Sequence, residues 1–362
     1  STVITVVLGM IVLSFMSDKP VQTVWEMLTF PAQGGTPAVQ WGKVFSEGMY
    51  LAIIALGLSV GYRAGIWNIG AEGQFAAGAV GAFLIWLLFG RPETSFAIPL
   101  LLIGGILGGA LWAAIPAALR AHLNTNELLV SLMLVYVASQ LLTYLSQTPL
   151  QGCAPIFDDG AQVGCIPYSP AQTDKLPDAL RFDPFIYGMS TTGSAIGTKI
   201  HTGLLVLLAF FVAVGAIIQF TLLGYRLRVA ESSAKAERYA GFSPKVTIWL
   251  SFMFSGGLAG LCGAVFLMAE SFSLTVGETF LANLGFAAIV IAFLGRLNPV
   301  GIIVAGMVIA YINAGASWVS SQPGLNADDS VAGFIEVIAL FCALATVAIT
   351  QTRISWGGKK DG

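Results

Sequence analysis

The chain has 362 residues, of which 56% are hydrophobic and only 10% charged, against roughly a quarter charged in an ordinary soluble domain. That composition excludes a water-soluble fold, and a formal net charge of −2 argues against the basic surface that a nucleic-acid partner would need. Charge informs here through its placement, not its sum.

Crossing the hydrocarbon layer takes about 20 mostly apolar residues. Charge-poor windows of near that length lie at 1–17, 48–62, 73–90, 94–119, 128–146, 202–225, 246–269, 279–295, 300–320 and 337–352. The expected fold is all-α, a polytopic membrane helix bundle of about ten transmembrane helices. It forms a single transmembrane domain over 1–362, with an outer loop at 147–200 and a cytoplasmic loop at 226–245. The 42 glycines, spaced as in Gly104-Gly105-Ile106-Leu107-Gly108-Gly109 and Gly256-Gly257-Leu258-Ala259-Gly260, suit helices that approach closely in a bilayer. The apolar runs do not alternate, which argues against a β-barrel.

With the N-terminus inside and the spans alternating, the inner side receives Arg63, Arg120, Arg226, Arg228, Lys235, Arg238, Lys245, Arg296, Arg353, Lys359 and Lys360. The outer side receives Lys19, Lys43, Arg91, Lys175, Arg181 and Lys199. Moving the register by one helix inverts the excess, so the positive-inside rule sets the topology as N-in and C-in. The first window begins at Ser1 without a basic n-region or a cleavage site, so it reads as a clipped helix and not as a signal peptide.

Along the chain, the first irregular place is Tyr62-Arg63-Ala64-Gly65-Ile66-Trp67-Asn68-Ile69-Gly70-Ala71-Glu72-Gly73-Gln74. Its glycines interrupt membranous sequence and bring in Asn68, Glu72 and Gln74, so a straight continuous helix is not expected. Such breaks at membrane depth line a cavity or are buried in protein, and ionisable groups there are costly. The segment admits two readings, a pathway or gate and a polar turn that pins two helix pairs. At Asn124-Thr125-Asn126-Glu127, Asn124 or Thr125 reads as a helix cap, with Glu127 favourable at the helix N-terminus.

Residues 147–199 carry six prolines and read as an irregular outer loop, either a lid or docking surface or an insertion that covers the bundle. Within it, Cys153 and Cys165 share one loop, so in an oxidising compartment they could form a disulfide or remain two free thiols. Cys262 and Cys342 lie in apolar spans, where a thiol behaves as a small hydrophobe. Residues 226–245 are short and basic, and the stretch from Glu231 to Gly241 reads as a surface helix with Glu231 and Lys235 at i,i+4 and Gly241 as its stop. Residues 285–301 repeat an apolar span, a Gly/Arg/Asn turn and a further span.

No GxxxxGK[ST] loop occurs, so the chain is not expected to bind ATP itself. His122 and His201 fall in loops on opposite sides, and there is no HExxH or CxxC spacing, so neither a metal nor another cofactor is expected. An enzyme is not expected.

Four stretches carry a family resemblance. Ala55 to Gly78 resembles the signature of bacterial ATP-binding-cassette (ABC) permeases of the ribose and branched-chain amino acid class, nearest the nucleoside and simple-sugar uptake permeases. Asn126 to Leu134, Arg238 to Phe242 and Leu294 to Gly301 resemble further stretches of that family in the same order. The similarity runs from Val44 to Thr352, and the outer loop is its main departure. The resemblance implies a permease of the bacterial cytoplasmic (inner) membrane that moves a small polar solute inward, a nucleoside first and a simple sugar next. Its implied partners are a cytoplasmic ATP-binding subunit, a second permease subunit of a different sequence, an extracytoplasmic substrate-binding protein and the lipid bilayer, with no nucleic acid.

The resemblance also makes Asn68, Glu72, Gln74 and Phe286 candidates for substrate pathway or gating. It turns the 231–242 helix into an ATPase-coupling element, with Glu231, Lys235, Arg238, Tyr239 and Phe242 as its candidate residues. The alternative is an ion-coupled secondary transporter or channel with no ATPase partner, for which Glu72, Glu127 and Glu336 are the candidate intramembrane acids.

Overall fold

A computed structural model describes residues 19–33, 37–158, 161–185, 187–189, 195–197, 199–232, 234–275 and 283–320. The expected spans at 1–17 and 337–352, with Glu336 and Cys342, lie outside the described residues. The helices are α1 (Pro20–Gln33), α2 (Pro37–Arg63), α3 (Ala71–Leu88), α4 (Ile98–Leu123), α5 (Glu127–Gln147), α6 (Thr202–Phe220), α7 (Leu222–Ser232), α8 (Ala234–Tyr239), α9 (Pro244–Phe266), α10 (Leu284–Leu294) and α11 (Pro299–Ser320). A π-helical turn, Leu267–Ser271, extends α9.

Among the described residues, seven helices, α2 to α6, α9 and α11, are long and apolar enough to cross a membrane. Proline opens several of them, at Pro37, Pro99, Pro244 and Pro299; its fixed φ and missing N–H cost nothing in a first turn. Of the expected span at 279–295, residues 279–282 lie outside the described residues. Only Leu284–Leu294 is helical among its described residues, 11 in all, roughly 16 Å and half a bilayer core. Helix α1 was not expected, because its Thr, Gln and Glu keep it below the hydropathy of a span.

Helix α2 is the central rod, 89% of its apolar window buried, whereas α5 is 22% buried and lies at the periphery. Around α2 the tightest layer is α3, α4 and α9. A Cβ on Gly260 of α9 would fall on the Gly105 carbonyl of α4, one on Gly109 would fall on the Gly256 carbonyl, and one on Gly78 of α3 would fall on the Gly260 backbone. Three backbones therefore meet where glycine alone leaves room.

The N-cap of α5 also differs from expectation. Asn124 adopts the left-handed conformation (φ 52°) that ends α4. Asn126 is the cap, its side chain accepting from the Leu128 and Leu129 amides, and Arg120 pairs with Glu127 at 3.1 Å. Three residues between the helices suffice because asparagine tolerates the αL turn.

The outer loop is more ordered than its prolines suggest. Strands β1 (Cys153–Asp158) and β2 (Ala161–Pro167) form one antiparallel hairpin, and β3 (Tyr187–Met189) and β4 (Ala195–Gly197) another. Cys153 and Cys165 are joined across the first hairpin, Cα–Cα 5.6 Å. Pro155 and Pro167 are tolerated because two-stranded hairpins consist of edges. Backbone bonds from Leu176 to Phe272 (2.8 Å) and from Phe182 to Met268 (2.9 Å) seat this loop on the turn after α9. Buried Leu176, Leu180 and Phe182 plug it into the bundle, so it is a cap and not a free tether.

The basic segment differs in its limits. The helix expected from Glu231 begins earlier, α7 starting already at Leu222, and helix is described on both sides of residue 233, which itself lies outside the described residues, with α8 continuing to Tyr239. Gly241 at φ 81° ends the segment as expected.

Candidate functional site

The break between α2 and α3 folds back into the bundle. Gly65 is at φ 70°, the Ile66 amide bonds the Gly61 carbonyl at 2.9 Å, and Tyr62 Oη donates to the Asn68 carbonyl at 2.8 Å. This returns Asn68 to the middle of α9, where its Nδ2 donates to Ser255 Oγ at 2.9 Å and to Gln74 Oε1 at 3.0 Å. Its Oδ1 accepts from the Gly70 amide at 2.8 Å. The polar groups freed by the broken helix are thus satisfied by protein, as hydrocarbon demands.

Glu72 completes the brace. It is 1% exposed, and its Oε2 accepts from the Gly285 amide at 2.5 Å, with the Asn283 and Phe286 amides also directed at it. The carboxylate therefore caps the N-terminus of the half-length helix α10, where the macrodipole favours negative charge. Phe286 stands half-buried in the first turn of α10. The structure thus brings Asn68, Glu72, Gln74 and the start of α10 together; the first three are packed in protein and bond one another, Ser255 or backbone.

Toward the end that carries the outer loop lies a cavity of about 420 Å³ lined by Lys43, Ser46, Glu47, Tyr50, Lys199, Phe266, Glu270, Leu284, Ala314 and Ser317. Lys199 pairs with Glu270 at 2.5 Å, Ser46 Oγ donates to Glu270 at 3.2 Å, and Asn313 Nδ2 donates to Glu47 at 2.7 Å. Sequence reading passed over Glu47 and Glu270, because each stands alone in apolar surroundings and their partners come from distant segments. The available signal was an acid immediately flanking an apolar window, Glu47 before 48–62 and Glu270 after 246–269.

Beside the cavity, the His201 ring packs between Tyr50 and Phe182, with centroids at 6.2 and 6.1 Å, and Nε2 lies 2.9 Å from Tyr50 Oη. Burial, and secondarily Lys199, pushes the imidazole down to about 4. The folded chain thus keeps His201 neutral while the unfolded chain takes up a proton near 6.5. This contribution to stability is complete above that value and is lost as pH falls toward 4. Thermal unfolding followed across this window should show a loss of up to about 3 kcal/mol, and His201→Phe should flatten the profile. An unchanged profile in that variant would assign the acid sensitivity elsewhere.

At the opposite end, Arg226 of α7 reaches Thr247 Oγ1 at 2.7 Å and pairs with Glu237 at 3.7 Å, and Thr247 also bonds Glu237. This buried clip locks α7, α8 and the start of α9 into one unit. Phe242 packs on Tyr225 at 6.3 Å and under the Arg226 guanidinium at 5.4 Å. Lys235 and Arg238 are exposed, and Tyr239 is 94% exposed. Glu231 lies in the last turn of α7. Of the five coupling candidates, Phe242 is used internally, while Lys235, Arg238 and Tyr239 present free surface.

Residues 42–344 match the family described as the permease component of the branched-chain amino acid transport system. The chain belongs to that family. Among its relatives, a glucose ABC transporter permease of Haloferax volcanii is 31% identical, covering 79% of this chain and 71% of its own length. A nucleoside ABC transporter permease of Lactococcus lactis is 27% identical over 91% and 84%. A guanosine ABC transporter permease of Bacillus subtilis is 28% identical over 84% and 83%. The protein is therefore an ABC permease, a multi-pass subunit of the cytoplasmic membrane. Permeases of this kind work with an ATPase and a substrate-binding protein.

Proposed function

We propose that the permease carries a nucleoside, or next a simple sugar, into the cytoplasm, as one transmembrane domain of about ten helices with both termini inside. The relatives that transport nucleosides, guanosine and glucose support the solute class. The orientation is supported by the clustering of Arg63, Arg226, Arg238 and Lys245 at the end opposite the disulfide-bearing loop. The outer loop then faces the extracytoplasmic binding protein, and a second permease of different sequence completes the pathway.

The observation that carries the coupling assignment is the rigid α7–α8 unit, clipped by Glu237 and offering Arg238 and Tyr239 outward. A rod joined directly to α6 and α9 can pass a movement of an ATPase cleft into the bundle, with Lys235 and Arg238 pairing with acids and Tyr239 anchoring by burial. The double variant Arg238→Glu, Tyr239→Ala is expected to weaken ATPase association by about tenfold or more, measured by pull-down, and to uncouple hydrolysis from uptake. Unchanged coupling would remove the assignment. Asn68, Glu72 and Gln74 serve gating by holding the α2–α3 break and α10 in register, with Phe286 on the moving helix. Because Glu72 is committed to capping α10, a proton or ion relay through it has no support.

A further inference from the structure

The ten-residue lining of the outer cavity has a composition that fits a particular ligand. It holds two ammonium groups, Lys43 and Lys199, and two carboxylates, Glu47 and Glu270, so its formal charge cancels while strong donors and acceptors remain. A net charge on a solute meets no compensating excess in such a site. A neutral solute with neighbouring hydroxyls can donate to a carboxylate and accept from an ammonium at once. Ser46 and Ser317 add hydroxyls. Tyr50 and Phe266, in edge contact at 5.9 Å, supply an aromatic wall for a base or a sugar C–H face. The volume, about 420 Å³, falls in the range of small-molecule sites, roughly 300–1,000 Å³.

The position matters as much as the chemistry. Leu284 lines the cavity, and the next residue, Gly285, donates its amide to Glu72. Phe266 lines it too and packs on Phe75 of α3 at 5.5 Å. The cavity thus ends against the first turn of α10 and the braced break at mid-depth. On its outer side the Lys199–Glu270 pair ties the loop to the turn after α9.

We propose that this cavity is a solute-receiving site within the permease, selective for neutral compounds bearing vicinal hydroxyls, bound by Lys43, Glu47, Glu270 and Lys199. It rests on the import function proposed above and adds to it that selection is exerted in the membrane subunit and not only by the external binding protein.

The test uses the permease–ATPase complex in lipid nanodiscs without the binding protein, with saturation-transfer NMR titrations. Uridine and glucose are the probes, the dideoxy analogue of uridine and choline the controls. Uridine alone binding assigns the site to nucleosides, and glucose alone assigns it to sugars; either supports the proposal. Loss of the vicinal hydroxyls should weaken binding by about tenfold, and so should Lys43→Met, which keeps the aliphatic stem, and Glu270→Gln, which removes only the charge. Equal binding by the variants, or equal binding of choline, overturns the proposal. So does absence of binding in a complex that still imports uridine or glucose once the binding protein is restored. If the complete transporter imports neither, the failure lies with the proposed import function.

Discussion

Gly260→Leu is expected to abolish accumulation of the folded permease. A side chain there is driven into the Gly105 carbonyl and the Gly109 backbone of α4, while Gly78 of α3 closes the other flank. The obstacle is backbone on two helices, which cannot yield as a side-chain tip can. Overpacking a core by a few methylenes costs about 1–3 kcal/mol, and parting three helices costs more. Fluorescence-detected size exclusion after expression checks the outcome. Gly257→Ala is the control, since its Cβ would meet Ile106 alone, at Cγ2 (3.4 Å) and the carbonyl oxygen (3.9 Å), ordinary contacts, and alanine favours helix. A monodisperse, heat-stable Gly260→Leu protein would show that the three-helix crossing is not required.

Glu72→Ala comes second in expected effect. It strips the acceptor from the Gly285 amide and from its Asn283 and Phe286 neighbours, at a depth where water cannot replace it. Unsatisfied groups in such surroundings cost several kcal/mol, so the thermal transition should fall sharply and uptake in proteoliposomes should drop by at least tenfold. Glu72→Gln keeps one oxygen to accept from the amides and should retain an intermediate stability. Wild-type stability in Glu72→Ala would mean that α10 is held by other contacts. Asn68→Leu tests the companion half of the brace, because Gln74 and Ser255 would lose the amide that joins them.

Much of this arrangement was open to sequence reasoning, and the rest was hidden for identifiable reasons. Gly65 and Gly70 marked the α2–α3 break because a run of glycines with Asn and Glu contradicts hydrocarbon locally. Gly241 before Pro244 marked the end of the basic segment for a similar reason. The cap at Asn126 was misplaced by one or two residues, to Asn124 or Thr125, since three polar residues in a row compete for that role and only the αL turn at Asn124 decides it. The strands of the outer loop were not foreseen because pairing partners such as Cys153 and Pro167 become visible only once the chain has turned. The start of α10 at Leu284 was not located because hydropathy averages over a window and does not register where a helix begins.

The sequence by itself determined that the protein lives in a bilayer, roughly where it crosses, which loop is basic and to which family it belongs. Each of these depends on local composition measured against a fixed external reference, the thickness and polarity of the membrane, or on contiguous motifs. Only the tertiary structure decided that Glu72 caps a helix 213 positions away, that Lys199 finds Glu270, and that four scattered charges from α2, the outer loop and the turn after α9 enclose one cavity. Those pairings arise from helix packing at glycine crossings, so they are properties of the assembled bundle and of no single segment within it.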